Sequence, residues 1–272
     1  MSRRERVVTL ALIAPATVVL LLLFAGGLGG AVLQSLRPGL GGQVSGSAWR
    51  TLVDDPGFRA ALWLSTRIAL EATALSALVA TGAALALRGR GTLSRTLFAL
   101  PVPVPHLLVA TVAVVWLAPG GLADRLAGAL PISLVRDPAG IGIVVVYVYK
   151  EAPFIALLLL SALGLRVRER EEAAAVHGAD RLQRLSWVIW PAIRRPLAAG
   201  CLIVGAFAFG SFEVPLLVGP TYPPTVATYA LQATQTDLIQ GQPLAAAALL
   251  VAAAASLLIA TAVIGIARGL GD

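Results

Sequence analysis

Hydrophobic and polar positions along this chain separate into blocks; they do not alternate. Six apolar runs stand out, at about Val7–Leu33, Ala60–Leu87, Leu97–Leu117, Ile141–Leu165, Leu197–Val218 and Leu244–Ala267. Each reaches the ~20 residues that a helix rising about 1.5 Å per residue needs to cross a bilayer. Barrel strands would show period-two alternation broken by turn signals, and these runs do not. The expected fold is therefore all-α: a polytopic membrane protein with six transmembrane helices. Between the fourth and fifth runs lies the most charged stretch of the chain, "EREEAAAVHGADRLQRLSWVIWP" (169–191). No internal repeat or low-complexity linker divides the sequence. The organisation predicted is an N-terminal anchor span with an external loop over 1–59, a five-span core over 60–267 that includes the loop 166–196, and a tail over 268–272.

Composition strengthens the membrane reading. Charged residues make up 13% of the 272 and hydrophobic ones 58%, whereas soluble domains carry about 25% charged residues. The single cysteine, Cys201, excludes a disulfide framework and a cysteine-based metal cluster. His106 and His177 show no ligand spacing, so no metal site is expected. The net charge of +7 does not imply nucleic-acid binding, because the arginines fall in short segments between spans. With the N-terminus inside, fourteen of the basic residues lie in inside segments and five in outside ones. That bias predicts both termini, and the loop at 169–191, on the cytoplasmic side. The first run has features of a cleavable signal, with "MSRRER" before it and "AGGLGGA" near its end. Its apolar stretch exceeds the usual h-region of about 7–15 residues, so an uncleaved anchor is expected.

Residues Arg168 to Val176 are strong helix formers. Glu169, Glu171 and Glu172 are expected in the first turn, where the helix dipole favours acids. Arg168 and Glu172, four apart, are spaced to pair. Ala173, Ala174 and Val176 offer a small, smooth surface, and Gly178 permits a C-terminal turn. Leu182, Leu185 and Ile189 then recur at helical spacing, Trp187 and Trp190 suit the headgroup layer, and Pro191 is read as closing an interfacial helix. From these residues alone a solvated loop and a docking helix fit equally well.

The stretch "EAAAVHGADRLQRLSWVIWP" resembles the cytoplasmic signature of permease subunits of bacterial type I ABC importers. That signature is Glu-Ala-Ala, three residues, Gly, nine residues, an aliphatic residue, one residue, Leu and Pro. Glu172, Ala173, Ala174, Gly178, Val188 and Pro191 match it, and Trp190 replaces the Leu. The resemblance implies that the helix before Gly178 is a coupling helix docking on a cytoplasmic ABC ATPase dimer. It further implies a second permease subunit, homologous or identical, an external solute-binding protein, and a bacterial inner-membrane location. No P-loop of the form GxxxxGK[ST] occurs in the chain, so ATP is expected to be used by the partner and no cofactor to be bound here.

Charges also lie within the apolar runs: Lys150, Glu151 and Glu213 are candidates for the solute pathway, whereas Arg67 and Glu71 fit better a buried pair that fixes helix register. Arg67 and Glu71 are four apart in the second run. Lys150 and Glu151 are adjacent in the fourth, near Pro153. A charge at mid-membrane costs about 2.5–3.5 kcal/mol on insertion scales, so these groups are expected to face protein or water. "PVPVPHLL" at 101–108 predicts an irregular start to the third span, and His106, with no partner evident in the sequence, is expected to be a satisfied interior polar group and not a ligand. In "FAFGSFEVPLLVGP" (207–220), Gly210 and Pro215 predict a broken helix with Glu213 at the break, and Phe209 and Phe212 beside it at helical spacing. This segment resembles that of polyamine, thiamine and ferric-iron permeases, which implies a small polar solute such as a polyamine or another cation. An intramembrane enzyme would call for a GxSxG motif or paired aspartates, and a secondary transporter for more spans with an internal repeat. None of these is present, so no catalytic residue is expected.

Overall fold

The computed structural model describes residues 3–37, 43–128, 133–237 and 239–269. Parts of the external loop (38–42) and of the tail (270–272) lie outside them. Among the described residues the elements are all helical: α1 (Arg3–Leu36), α2 (Ser47–Asp54), α3 (Pro56–Leu87), α4 (Thr92–Ala99), α5 (His106–Leu117), α6 (Leu122–Ala127), α7 (Ile141–Ala162), α8 (Leu165–Val176), α9 (Arg181–Arg184), a π turn (Leu185–Ile189), α10 (Trp190–Gly210), α11 (Glu213–Val218), α12 (Val226–Thr236) and α13 (Gly241–Gly269). Among the described residues, six stretches are long and apolar enough to cross a membrane: Ala11–Leu36, Pro56–Leu87, His106–Leu126, Ile141–Ala162, Arg181–Gly210 and Gly241–Ala262.

Six spans agree with the hydrophobic pattern, but two of them move. The third was expected from Leu97. Instead α4 ends at Ala99, and Pro101, Pro103 and Pro105 occupy isolated turns in which Val102 N bonds Ala99 O at 3.0 Å and Val104 N bonds Pro101 O at 3.2 Å. Prolines that lack N–H groups and fix φ cannot hold a helical ladder there, so the span begins at His106. The fifth was expected from Leu197 to Val218, after an interfacial helix closed by Pro191. Pro191 closes nothing: Arg181–Gly210 runs through as one helical span. The π turn is the reason. Trp190 N bonds Leu185 O, five residues back. This widened turn absorbs a proline that in regular α geometry would clash with the carbonyl four residues earlier. The fifth span also ends early, at Gly210, and α11 is a separate short helix.

The chain forms two compact units. One takes up the chain to Phe58 together with Tyr229–Val251; the other takes up Arg59–Thr228 and the chain from Ala252 onward. In the first unit, Trp49 Nε1 of α2 donates to Ser35 Oγ at the end of α1 (3.2 Å). Tyr229 OH of α12 donates to the Asp55 carboxylate (2.5 Å) and its ring packs on Phe58 (centroids 5.4 Å apart). Burial first, and then the Asp55 carboxylate, push the Tyr229 phenol above its usual range, so it keeps its proton.

The second unit is built around α7, the most buried of the six spans at 61% of its apolar window. Its residues Ile155, Ala156 and Leu159 pack with Ala80 and Ala84 of α3, Ile189 of the π turn, and Ile193 and Val204 of α10. Alanines on α3 let the helix backbones approach, as small residues do in membrane packing. Gly142 serves the same end at the start of α7, where a Cβ would collide with the Leu134 carbonyl oxygen.

Candidate functional site

The segment after α7 carries the sequence signature. α8 starts at Leu165, three residues earlier than the sequence reading placed it, so Glu169, Glu171 and Glu172 fall in its middle and no acid occupies its first turn. The expected dipole contribution of these acids is therefore absent. Gly178 ends the helix at φ +86°. Ala179 N bonds Ala174 O and Gly178 N bonds Ala175 O, both at 3.0 Å, the paired bonds of a Schellman turn. Asp180 then caps α9 reciprocally: Gln183 N donates to Asp180 Oδ1 (2.8 Å), and Asp180 N donates to Gln183 Oε1 (2.9 Å).

Two adjacent glutamates on α8 take opposite positions. Glu172 pairs with Arg168 as the spacing predicted (2.9 Å), and both side chains stay exposed. Glu171 turns inward, its side chain only 15% exposed, and accepts two hydrogen bonds from Arg88 at the end of α3 (2.7 and 3.1 Å). Arg184 of α9 approaches it at 3.7 Å. No residue of α8 is buried. Ala173 and Val176 point outward, Val176 at 85% exposure, while Ala174 is half-buried. Further on, Val188 is half-buried in the π turn, and Pro191 and Trp190 are exposed. The signature residues thus do not gather at one spot. Glu172, Ala173 and Gly178 line the outer side of the helix and its turn, and Val188 and Pro191 shape the wide turn behind it.

Inside the spans the structure supplies partners that the sequence did not reveal. Lys150 and Glu151 are both buried in α7. Lys150 Nζ donates to Val102 O in the proline turns (2.7 Å). Glu151 Oε1 lies 2.7 Å from His106 Nε2 at the start of α5. The His106 ring packs on Phe207 of α10 (4.5 Å), which also meets Tyr147 edge-on (6.1 Å). His106 therefore has a partner after all, 45 residues away in sequence. In α3, Arg67 Nε lies 3.5 Å from Glu71 Oε1, and Arg67 Nη2 bonds the Ala139 carbonyl.

The break in the fifth run falls at Ser211–Phe212, before Pro215 and not at it. Pro215 sits in the first turn of α11, where an N–H has no partner within the helix in any case. Phe209 is buried at the end of α10, while Phe212 and Glu213 are exposed at the start of α11. Residues 209, 212 and 213 therefore do not share the helical face that their spacing predicted. Phe207 is the α10 aromatic that packs on His106, the partner of Glu151, and a single aromatic two residues from Phe209 gave no distinguishing signal.

A helical membrane protein with six spans, an exposed helix between the fourth and fifth, and a Schellman turn at its signature glycine has the architecture of a transport permease. Residues 72–271 match the family described as binding-protein-dependent transport system inner membrane component, and the chain belongs to that family. It is a multi-pass inner-membrane component of an ABC importer, a non-catalytic subunit. It is 30% identical over 208 residues to the inner membrane ABC transporter permease protein YnjC of Escherichia coli, covering 74% of this chain and 40% of that protein. It is 34% identical over 163 residues to the trehalose transport system permease protein SugA of Mycobacterium tuberculosis, covering 56% of this chain and 52% of that one. The chain thus spans about half or less of the length of these relatives. A chain in the crystal structure of a bacterial alginate ABC transporter in complex with an alginate pentasaccharide-bound periplasmic protein superposes with a TM-score of 0.78. It is 19% identical, with 98% of this chain and 96% of that chain covered, and the likeness extends to the fold.

Proposed function

We propose that this chain forms a solute pathway with a second permease subunit, homologous or identical, and couples it through α8 to a separate cytoplasmic ABC ATPase dimer. An external solute-binding protein delivers the solute, both termini and residues 165–191 face the cytoplasm, and ATP acts on the partner alone. The observation that carries the coupling role is α8 itself. It is a twelve-residue helix with no buried residue, and Val176 stands 85% exposed at its end. Glu172, Ala173, Ala174 and Gly178 form or support the docking side, and Val188 and Pro191 set the angle at which the fifth span leaves it.

The test is purification of the tagged chain from its native membrane. The wild type brings with it a P-loop ATPase that hydrolyses ATP, and Gly178→Val, inserted to the same level, retains less of it. A wild-type preparation without ATPase activity refutes the coupling role.

For the pathway we put forward Glu213 at the start of α11 and Phe212 just before it, since both are exposed; Pro215, which is buried, shapes the first turn of α11. Lys150 and Glu151 are engaged with Val102 and His106, and Phe209 is buried; we assign these three to holding the pathway walls in place. A cationic solute followed from the resemblance of residues 207–220 to polyamine, thiamine and ferric-iron permeases, and it would suit Glu213. One relative's name specifies trehalose, so a small hydroxyl-rich solute now stands before a polyamine. Uptake of radiolabelled trehalose and putrescine separates them. Glu213→Gln leaves saccharide uptake intact, whereas putrescine transport that fails in Glu213→Gln reinstates the cation.

A further inference from the structure

We propose that Glu171, held between Arg88 and Arg184, is the positioning residue that makes α8 and the second span move as one body. This rests on the coupling role of α8. Three observations support the latch. First, α8 has no fully buried residue, its apolar contacts being limited to half-buried side chains such as Val167 and Ala174, and Glu171 is its most enclosed charged side chain at 15% exposure. Second, the pairing is bidentate. Arg88 Nη1 and Nη2 reach the two carboxylate oxygens at 2.7 and 3.1 Å, and a planar fork on a planar carboxylate resists rotation as well as separation. Third, the far end of the link is itself anchored. Arg95 Nη2 donates to Arg88 O (2.6 Å) and Arg95 Nε to Leu87 O (3.2 Å), closing the last carbonyls of α3. A displacement of α8 is thereby transmitted to a span 83 residues upstream, in addition to the α7 and α10 spans that α8 joins through the chain.

Arg184 gives the latch a second arm. It approaches the same carboxylate at 3.7 Å from α9, which the Asp180 capping box holds rigidly behind Gly178. Glu171 thus joins both sides of the Schellman turn to α3. Glu172, one residue on, projects outward with Arg168, so the latch and the outward-facing pair are separate features of one helix.

The test uses the intact complex purified with its ATPase, in a Cys201→Ala background. Spin labels are placed at Leu70→Cys on α3 and Arg170→Cys on the flank of α8. In the otherwise wild-type complex, the interlabel distance is the same in the nucleotide-free and the ADP–vanadate-trapped states. In Glu171→Gln, which retains size and one acceptor oxygen, the distance shifts between the two states. Arg88→Gln gives the same shift, and the double variant adds nothing to either, as expected of two residues acting through each other. An unchanged distance in Glu171→Gln overturns the latch, and so do additive shifts in the double variant. Loss of the ATPase from Glu171→Gln overturns it too, since Glu171 would then be a docking residue. A wild-type complex with no ATPase defeats the coupling role instead, so the two failures are told apart.

Discussion

Glu171 and Glu172 are neighbours of identical chemistry, and helix geometry alone separates their roles. Successive residues on a helix point about 100° apart, so one meets Arg88 and the other meets solvent. The Glu172–Arg168 pair is exposed on both sides, and such surface pairs contribute about 0–1 kcal/mol. Glu172→Lys is therefore expected to leave thermal stability of the inserted protein unchanged while lowering ATPase retention. An equal fall in both would make it a folding residue. At Gly178 the argument is conformational and not steric, because a Cβ there meets nothing within 4 Å. Forcing a β-branched side chain to the observed φ of +86° costs about 1–2 kcal/mol. Gly178→Val is expected to fray the end of α8, and Gly178→Asn to retain more ATPase than Gly178→Val. In the membrane interior, Glu151→Ala removes the partner of His106. Leaving one partner of a part-buried hydrogen bond unsatisfied costs about 1–3 kcal/mol, and the 23% exposure of the His106 side chain places this one near the lower figure. The expected result is a clear drop in melting temperature in detergent, with a smaller drop for Glu151→Gln.

At the scale of elements, the π turn between α9 and α10 has the sharpest consequence. Deleting Ser186 removes its extra residue. The turn then returns to regular α spacing, in which the Pro191 ring clashes with the carbonyl four residues earlier, and the strain displaces α9 and α8 together. Uptake is expected to fail while the protein still inserts, as read by membrane fractionation beside a transport assay. Pro191→Ala keeps the residue count and is expected to be milder. This turn also marks how far the sequence was legible. Hydrophobic run length identified six spans because the cost of exposing backbone to lipid leaves little choice of structure. The signature located α8 and its glycine because turn chemistry is local. Pro191 misled, since proline is a stop signal only where the turn before it has regular α spacing. His106–Glu151 and Arg88–Glu171 were illegible for a different reason: they join residues 45 and 83 positions apart, and no periodicity within a run specifies which helices meet.

For the whole molecule, the arginine distribution predicts an orientation with α8 on the cytoplasmic side, and orientation is open to direct measurement. A cysteine at position 172 in a Cys201→Ala background is expected to resist an impermeant maleimide in intact cells and to react in inside-out vesicles. Reaction from the outside would place α8 on the wrong face for any cytoplasmic ATPase and remove the coupling role altogether.

The first helix stands apart from this web of specific partners. None of the most apolar window of α1 is buried within the chain, and Leu12, Leu20, Leu22 and Phe24 are each more than 65% exposed. Its last turn is held by Ser35 through Trp49 and by Gln34, whose side chain donates to Gln242 Oε1 (3.1 Å); the apolar window is in contact with whatever surrounds the protein. For such a segment the order of the letters carries almost no information, and only their average does. Shuffling residues 16–30 among themselves is expected to leave insertion and uptake as they were. The same shuffle applied to 143–157 in α7, with identical mean hydropathy before and after, is expected to abolish uptake while the chain still inserts. Two helices in one chain would then be written in different codes, one read by a solvent and the other by neighbouring side chains.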